Sequence, residues 1–450
     1  MNPEKPWAEL TIDEKREKRF ERWLSPPGVK FISQEAEERY RARVTRFIKA
    51  IKLEEPDRVP VMFPTANFPA YYAGYDFKTV MYDYKALKRA WMKFLNDFSD
   101  IDHFIGPGLV QPAKALEIIG YESYRWPGHG LPDEIDIIQY LEKEYINSDE
   151  YYKLINDPTD FWLRTFMPRQ AKAFRPLAKL PHLTHYIDIP INYLSHLGDP
   201  EIKTALKAMM DAGDEIHKWL RVVREVSQTA LEAGFPSLFG GGPSGAPFDA
   251  IADTCRGTKG IIMDMYRQPD KLNEAMERIA AVMIDDGISS VNASICPVIM
   301  MPLHKGNKTF MSQKQFETFY WPTFKKLLLG LINEGIIPMP FAEGNYEPRL
   351  ETIKDMPRAS MIWYFEHMNM ARAKEILGDT ACIAGNIPVN VLCNGTPSEV
   401  KEHCRQLIKS CAKGGGYILS GSAWVNKGKA ENLRAILEAN REYGVYPIRV

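Results

Sequence analysis

The six cysteines of this 450-residue chain (Cys255, Cys296, Cys382, Cys393, Cys404 and Cys411) form no CxxC pair and no regular framework. That excludes a disulfide scaffold or a zinc ribbon and fits reduced, mostly buried thiols. There is no basic excess either. Lysine and arginine number 57 against 58 acidic residues, so nothing is left over to neutralise a phosphate backbone, and nucleic acid is not an expected partner. No apolar run approaches the roughly 20 residues of a membrane span, which removes the membrane as a partner. The opening stretch MNPEKPWAELTIDEKREKRFERW is too charged for a secretory signal, so a cytoplasmic location is expected. The Gly-rich stretch at 240–243 lacks a GxxxxGK spacing, and a phosphate-cradling loop is given little weight there.

What is present is a rhythm. A hydrophobic content of 45% is ample for a large core. Residues 1–50, rich in Glu, Lys and Arg at helical spacing, read as a solvated helical extension, and residues 51–450 as the folded body. Apolar strand candidates fall at 55–63, 102–108, 236–242, 291–300, 336–341, 360–365, 381–386 and 417–422. Helical patterns at 266–287, 312–335 and 396–415 separate the later ones. Between 124 and 235 the pattern is mostly helical, with no Gly/Ser or Pro-rich linker around it, and reads as a large helical insertion. Eight strands alternating with helices predict an α/β fold, a (β/α)8 TIM barrel, with an open doubly wound sheet as the competitor. In either arrangement the chemistry belongs at the carboxyl ends of the strands.

The run IIPMPFAEGN (336–345) places Glu343 at such an end, before a Gly-Asn turn. His304 follows the fourth strand in VIMMPLH (298–304), and Glu366 and His367 end the sixth in SMIWYFEH (360–367). Adjacent residues on a strand point to opposite faces, so one of Glu366 and His367 is expected to face the pocket.

Several segments together resemble the uroporphyrinogen decarboxylase superfamily: EPDRVPV (55–61), PFDAIADTCRGTKGIIMDMYRQPDKL (247–272), FMSQKQFETFYWPTFKKL (310–327), CIAGNIPVNVLCNGTPSEV (382–400) and GGGYILSGSAWVNKGKAENLRAILEA (414–439). The resemblance runs from about residue 50 to the end and implies a (β/α)8 barrel, the fold the strand count reaches independently. The superfamily holds porphyrinogen decarboxylases and zinc- and corrinoid-dependent methyltransferases, so fold does not decide between them. Its decarboxylases grip a polycarboxylate with an arginine-rich segment after the first strand. Here that segment is PTANFPAYYAGYDF (64–77), which has no arginine and suits a compact neutral or aromatic ligand. Its thiol methyltransferases carry a His-x-Cys-Gly motif at the fifth strand and a further Cys near the last. Here those positions read Phe341-Ala342-Glu343-Gly344 and Ser422, so the thiolate zinc site does not carry over.

The residues leave room for an oxygen and nitrogen set, Glu343, Glu366, His304 and His367, that would hold zinc as a Lewis acid. Glu343, Glu366 and His304 are the catalytic candidates. Tyr364, which shares a strand face with Glu366, and Asn386, Trp424, Asp249 and Arg256 are the substrate-contact candidates, Asp249 and Arg256 also as a structural ion pair. The resulting expectation is a methyltransferase that moves a methyl group from an O-methyl or N-methyl small molecule to a corrinoid on a separate corrinoid protein. The chain itself shows no Asp-x-His-x-x-Gly cobalamin motif. A pterin acceptor, a metal-independent decarboxylase or lyase for a small carboxylated substrate, and a non-enzymatic binding protein are the alternatives. A homodimer is compatible with the aromatic residues Phe316, Phe319, Tyr320 and Trp321 on an outer helix.

Overall fold

A computed structural model describes residues 5–449, with the side chain of Asp188 left out. Nine strands form. β1 (Val61–Met62), β5 (Val298–Leu303), β6 (Ile337–Asn345), β7 (Ile362–His367), β8 (Cys382–Ala384) and β9 (Tyr417–Ser420) make one parallel sheet in the order β1-β9-β8-β7-β6-β5. Short β2 (Tyr124–Pro127), β3 (Gly130–Leu131) and β4 (Gln139–Tyr140) make a second, small sheet.

The six parallel strands curl, and the two remaining staves foreseen near 102–108 and 236–242 run extended without a regular ladder. Single hydrogen bonds join them to their neighbours. Val61 N–H donates to Asp102 Oδ2 at 2.9 Å, and Phe63 N–H donates to His103 Nε2 at 2.8 Å. Phe104 N–H then donates to Pro236 O at 3.0 Å, and Gly240 N–H to Val298 O at 2.7 Å. Two side chains thus take the place of carbonyls between the first two staves. The result is a (β/α)8 barrel with chain-order staves, as the alternating pattern predicted.

Strand boundaries differ from the sequence reading in instructive places. The apolar run at 291–300 splits, because the helix Pro269–Asn292 continues to Asn292 and β5 starts only at Val298. β6 runs on through Glu343 to Asn345, past the expected end, with a register shift between Ala342 and Asn345. Gly344, at φ +81°, supplies the left-handed turn of that bulge. The insertion is not purely helical: the small sheet occupies 124–140, and Phe174, Leu177 and Leu180 of the insertion cluster with Ile202 and Ala205 on the 33-residue helix Pro200–Glu232.

The amino-terminal extension is less solvated than its charge suggests. α1 (Ile12–Leu24) starts at a Thr11/Glu14 capping box, and α2 (Gln34–Ile51) at Ser33. Both carry an apolar stripe on a charged background. Phe20, Trp23, Tyr40, Val44 and Phe47 from these stripes form one cluster with the inward-facing Met62, Val298, Ile337, Met339, Ile362 and Ile418. The two helices therefore plug the base of the barrel, where the strands begin. Among the described residues no helix is long and apolar enough to cross a membrane.

Candidate functional site

Inward-facing residues repeat every second position along each strand. On β6, Ile337, Met339 and Phe341 fill the interior, and Glu343 is the next in phase. On β7, Ile362 and Tyr364 lead to Glu366; on β8, Cys382 and Ala384 lead to Asn386. The same parity from Val298 and Met300 reaches His304. His304, Glu343, Glu366 and Asn386 thus belong to one layer at the carboxyl ends of the strands, the mouth of the barrel.

His304 is the best-anchored member. Its Nδ1 lies 2.5 Å from Asp253 Oδ2 and its Nε2 lies 3.8 Å from Glu343 Oε2. The hydrogen bond to Asp253, reinforced by the charges of Asp253, Glu343 and Asp249, outweighs burial and raises the imidazole to about 9, so it is a cation at neutral pH. Glu343 is raised as well, which for a carboxyl favours the neutral form. Burial comes first, and the neighbouring Glu366, Asp249 and Asp253 add to it; together they overcome the attraction of His304 and push Glu343 up to about 7. Glu343 therefore keeps a proton for much of the time at neutral pH while its side chain remains 37% exposed to the mouth. Glu366 accepts the Gly344 N–H at 2.6 Å, so the bulge in β6 ties the two glutamates' strands together.

Asp249 and Arg256 do not form the foreseen pair, and neither touches the open mouth. Arg256 is buried and donates to Asp264 at 2.6 Å, its guanidinium also reaching the Ile146 carbonyl, so it fastens the insertion to the barrel. Asp249 is buried beneath His304. It accepts from Tyr320 OH at 2.6 Å and from the Lys305 N–H at 2.9 Å, and the His304 N–H lies 3.4 Å away. Burial, with the charge of Asp253, raises its carboxyl to about 6. Its role is to shape the loop that carries His304. Tyr364 is also corrected: it is fully buried, stacks on Phe341 at 4.2 Å between ring centroids and donates to the Gly421 carbonyl at 2.9 Å. With its ring fully buried and its hydroxyl held by that carbonyl, it packs in the barrel interior beneath the rim.

Trp424 lies against Phe239 with ring centroids 5.8 Å apart, an aromatic wall at the rim. Asn386 spends its amide on the Glu366 and Met368 carbonyls, at 3.1 and 2.9 Å. His367 points outward, 69% exposed, with Nε2 3.5 Å from Glu366 Oε1, as strand alternation required of one of the two. Asn386 and His367 line a cleft of about 860 Å³ that leads from the rim outward between the helices Met370–Leu377 and Pro397–Cys411. Glu366, Ser422, Asn345, Asn369, Asn390 and Gln406 also line it, giving it an amide-rich surface. Sequence reasoning missed Asp253 and Lys305. Lys305 Nζ lies 3.4 Å from Asp253 and donates to Thr258 at 2.9 Å. Asp253 sits four residues after Asp249 in ADTCR, a helical spacing that was the one available signal.

As they stand these donors do not make a zinc site. Among the described residues no three His, Cys, Asp or Glu side chains are grouped closely enough to hold a metal ion, although Asp253 on Nδ1 leaves His304 Nε2, and the Gly344 N–H on Oε2 leaves Glu366 Oε1, for another partner. What the arrangement offers is a pair of proton donors of different strength side by side.

The Uroporphyrinogen decarboxylase (URO-D) description matches residues 199–443, more than half of the chain. The chain belongs to the URO-D family. Among solved structures, the fold resembles a methyltransferase from Methanosarcina mazei at a TM-score of 0.57 and 16% identity, over 89% of this chain and 98% of that one. A B12-independent methionine synthase from a Shewanella strain matches at 14% identity over 44% of this chain and 61% of its own, with a TM-score of 0.32. No curated protein matches the chain. The URO-D segment carries Asp249, Asp253, His304, Glu343, Glu366, Asn386 and Trp424, so the whole candidate site lies inside it.

Proposed function

We propose that this URO-D protein is a methyltransferase that takes a methyl group from a small O-methyl donor, an aromatic methyl ether first and an N-methyl compound second, and passes it to a corrinoid carried by a separate protein. The observation that carries the reading is Glu343, a carboxyl raised to about 7 and still open to the mouth. A methyl ether resists transfer because an alkoxide or phenoxide leaves poorly, and a positioned acid removes that obstacle. Glu343 donates its proton to the ether oxygen as the carbon–oxygen bond breaks, the bond's electron pair staying on oxygen. The methyl carbon bonds to the acceptor, which contributes the new pair; a reduced corrinoid supplies such a nucleophile. His304, a cation beside Glu343, stabilises the carboxylate left behind and is itself held by Asp253.

The arginine-free loop at 64–77, with Phe68 buried, and the aromatic wall of Phe239 and Trp424 suit a compact aromatic donor better than a polycarboxylate. The Methanosarcina neighbour bears the name methyltransferase, which agrees with the reading. Zinc takes no step in it.

A second reading is favoured by His304 and Lys305 standing together beside the mouth: two cations able to hold a small carboxylate, with a donor to protonate the carbanion after CO2 leaves. One experiment separates them. The purified protein is incubated with methoxylated aromatics and a reduced corrinoid protein, and methyl–cobalt absorbance and the demethylated product are followed. Appearance of both is expected. No transfer from any donor, with CO2 released from small acids in the absence of acceptor, would establish the decarboxylase instead.

A further inference from the structure

A cavity of about 260 Å³ opens on the opposite face of the barrel, at the amino ends of the strands. Five arginines line it: Arg39 and Arg43 on α2, Arg46 at the same helix's end, Arg58 before β1, and Arg441 on the carboxyl-terminal helix Ala430–Tyr443. Three carboxylates, Asp57, Asp100 and Asp102, pair closely with them. Arg46 holds Asp57 with two nitrogens, at 2.8 and 2.7 Å. Arg46 and Arg58 share the buried Asp102, at 2.9 and 2.7 Å, and Arg441 reaches the exposed Asp100 at 2.5 Å. Other nearby acids are engaged elsewhere, Asp97 with Lys93 and Glu438 with Lys401.

Two guanidiniums are left short. Arg39 has only Glu35, 3.9 Å away and 82% exposed. Arg43 is 5% exposed and has no carboxylate; it donates to the Gly234 and Ser99 carbonyls at 2.6 Å each and lies over the Phe235 ring at 4.1 Å. Burial first, and then the charges of Arg39, Arg46 and Arg58, push its pKa down to about 10 against the pull of Asp102. A buried cation satisfied by carbonyls alone is costly unless a counter-charge completes it. Five guanidiniums against Asp57, Asp100, Asp102 and the distant, exposed Glu35 leave the cavity with an excess of positive charge.

We propose that this cavity binds a compact doubly charged oxyanion of the phosphate type, gripped by Arg39, Arg43 and Arg441 in the bidentate manner that guanidinium favours. The anion joins α2, which plugs the barrel base, to the carboxyl-terminal helix, so its occupancy sets how firmly the plug is seated. It lies on the far face from Glu343 and does not depend on the reaction proposed there.

The test is calorimetric titration of the full-length protein with inorganic phosphate, and separately with phenyl phosphate, at pH 8 and an ionic strength held constant with sodium chloride. One saturable site is expected, with binding about tenfold or more weaker in the Arg39→Gln/Arg441→Gln double variant, whose two side chains are half-exposed and outside the core. Asp100→Asn frees Arg441 and is expected to tighten binding, a readout that does not depend on the double variant. Phosphate should raise the melting temperature of the wild type and leave that of the double variant unmoved. Binding of both ligands marks a phosphoryl group on an organic body as the occupant, and binding of phosphate alone marks the free ion. No saturable heat with either, or equal affinity in wild type and double variant, overturns the proposal.

Discussion

At the scale of single residues, the site rests on two groups displaced in the same direction for different reasons. Glu343 is raised to about 7 mainly because burial penalises its charge, and His304 to about 9 mainly because Asp253 accepts its proton's hydrogen bond. For a general acid the consequence is a falling alkaline limb: kcat/KM should be flat below about 7 and decline above it as Glu343 loses its proton. Glu343→Gln keeps the shape and removes the proton, so kcat should fall about 100-fold or more with donor affinity little changed, read by steady-state kinetics and equilibrium binding. Asp253→Asn removes the largest cause of the His304 shift. The imidazole should then titrate near its ordinary value instead of about 9, followed by NMR of the ring protons. The sign for folding is the same for both groups. Their folded values lie above the unfolded ones, so the contribution of His304 to stability is present below about 6.5 and lost through about 9. Glu343 weakens the fold as pH rises from about 4.5 to about 7.

At the scale of elements, the bulge of β6 and the plug of α1 and α2 carry the most weight. Gly344→Ala would place a Cβ at φ +81° and 3.1 Å from the Asn307 side chain, displacing the N–H that holds Glu366. A loss of about 1 kcal/mol or more in stability is expected from denaturant unfolding, with activity falling further than stability. Trp23 is fully buried in the cluster that fills the barrel base. Trp23→Ala should cost about 3–5 kcal/mol, seen as a lower denaturant midpoint at an unchanged slope. Much of this was legible in the chain. The continuous apolar runs ending in Glu343, Glu366 and His304 located the strands and the rim, because the mouth of a barrel lies where such runs stop. The plug was not legible as a plug: a helix with one apolar stripe in a charged sequence looks the same whether the stripe meets a barrel base or nothing. Nor was the fate of Arg256 or Tyr364, since their partners, Asp264 with the Ile146 carbonyl and the Gly421 carbonyl, are set by tertiary packing. The two irregular staves show apolar sequence correctly naming strands that then pair through Asp102 and His103 side chains.

At the scale of the whole molecule, a URO-D barrel carries the cluster of His304, Glu343 and Glu366 at one end and an arginine-lined cavity at the other. Treatment with a chelator followed by elemental analysis tests the proton-based reading: the metal-free protein should keep its transfer activity. One zinc per chain, with activity lost on its removal, would put a Lewis acid in Glu343's role. The helices that fill the base from Phe20 to Phe47 also make the pocket a dead end. On the proposed methyl-transfer reading, the demethylated product must leave past the rim by which the next donor arrives. The demethylated product should therefore compete with fresh donor for one doorway, and initial-rate measurements should show it as a competitive inhibitor against the donor.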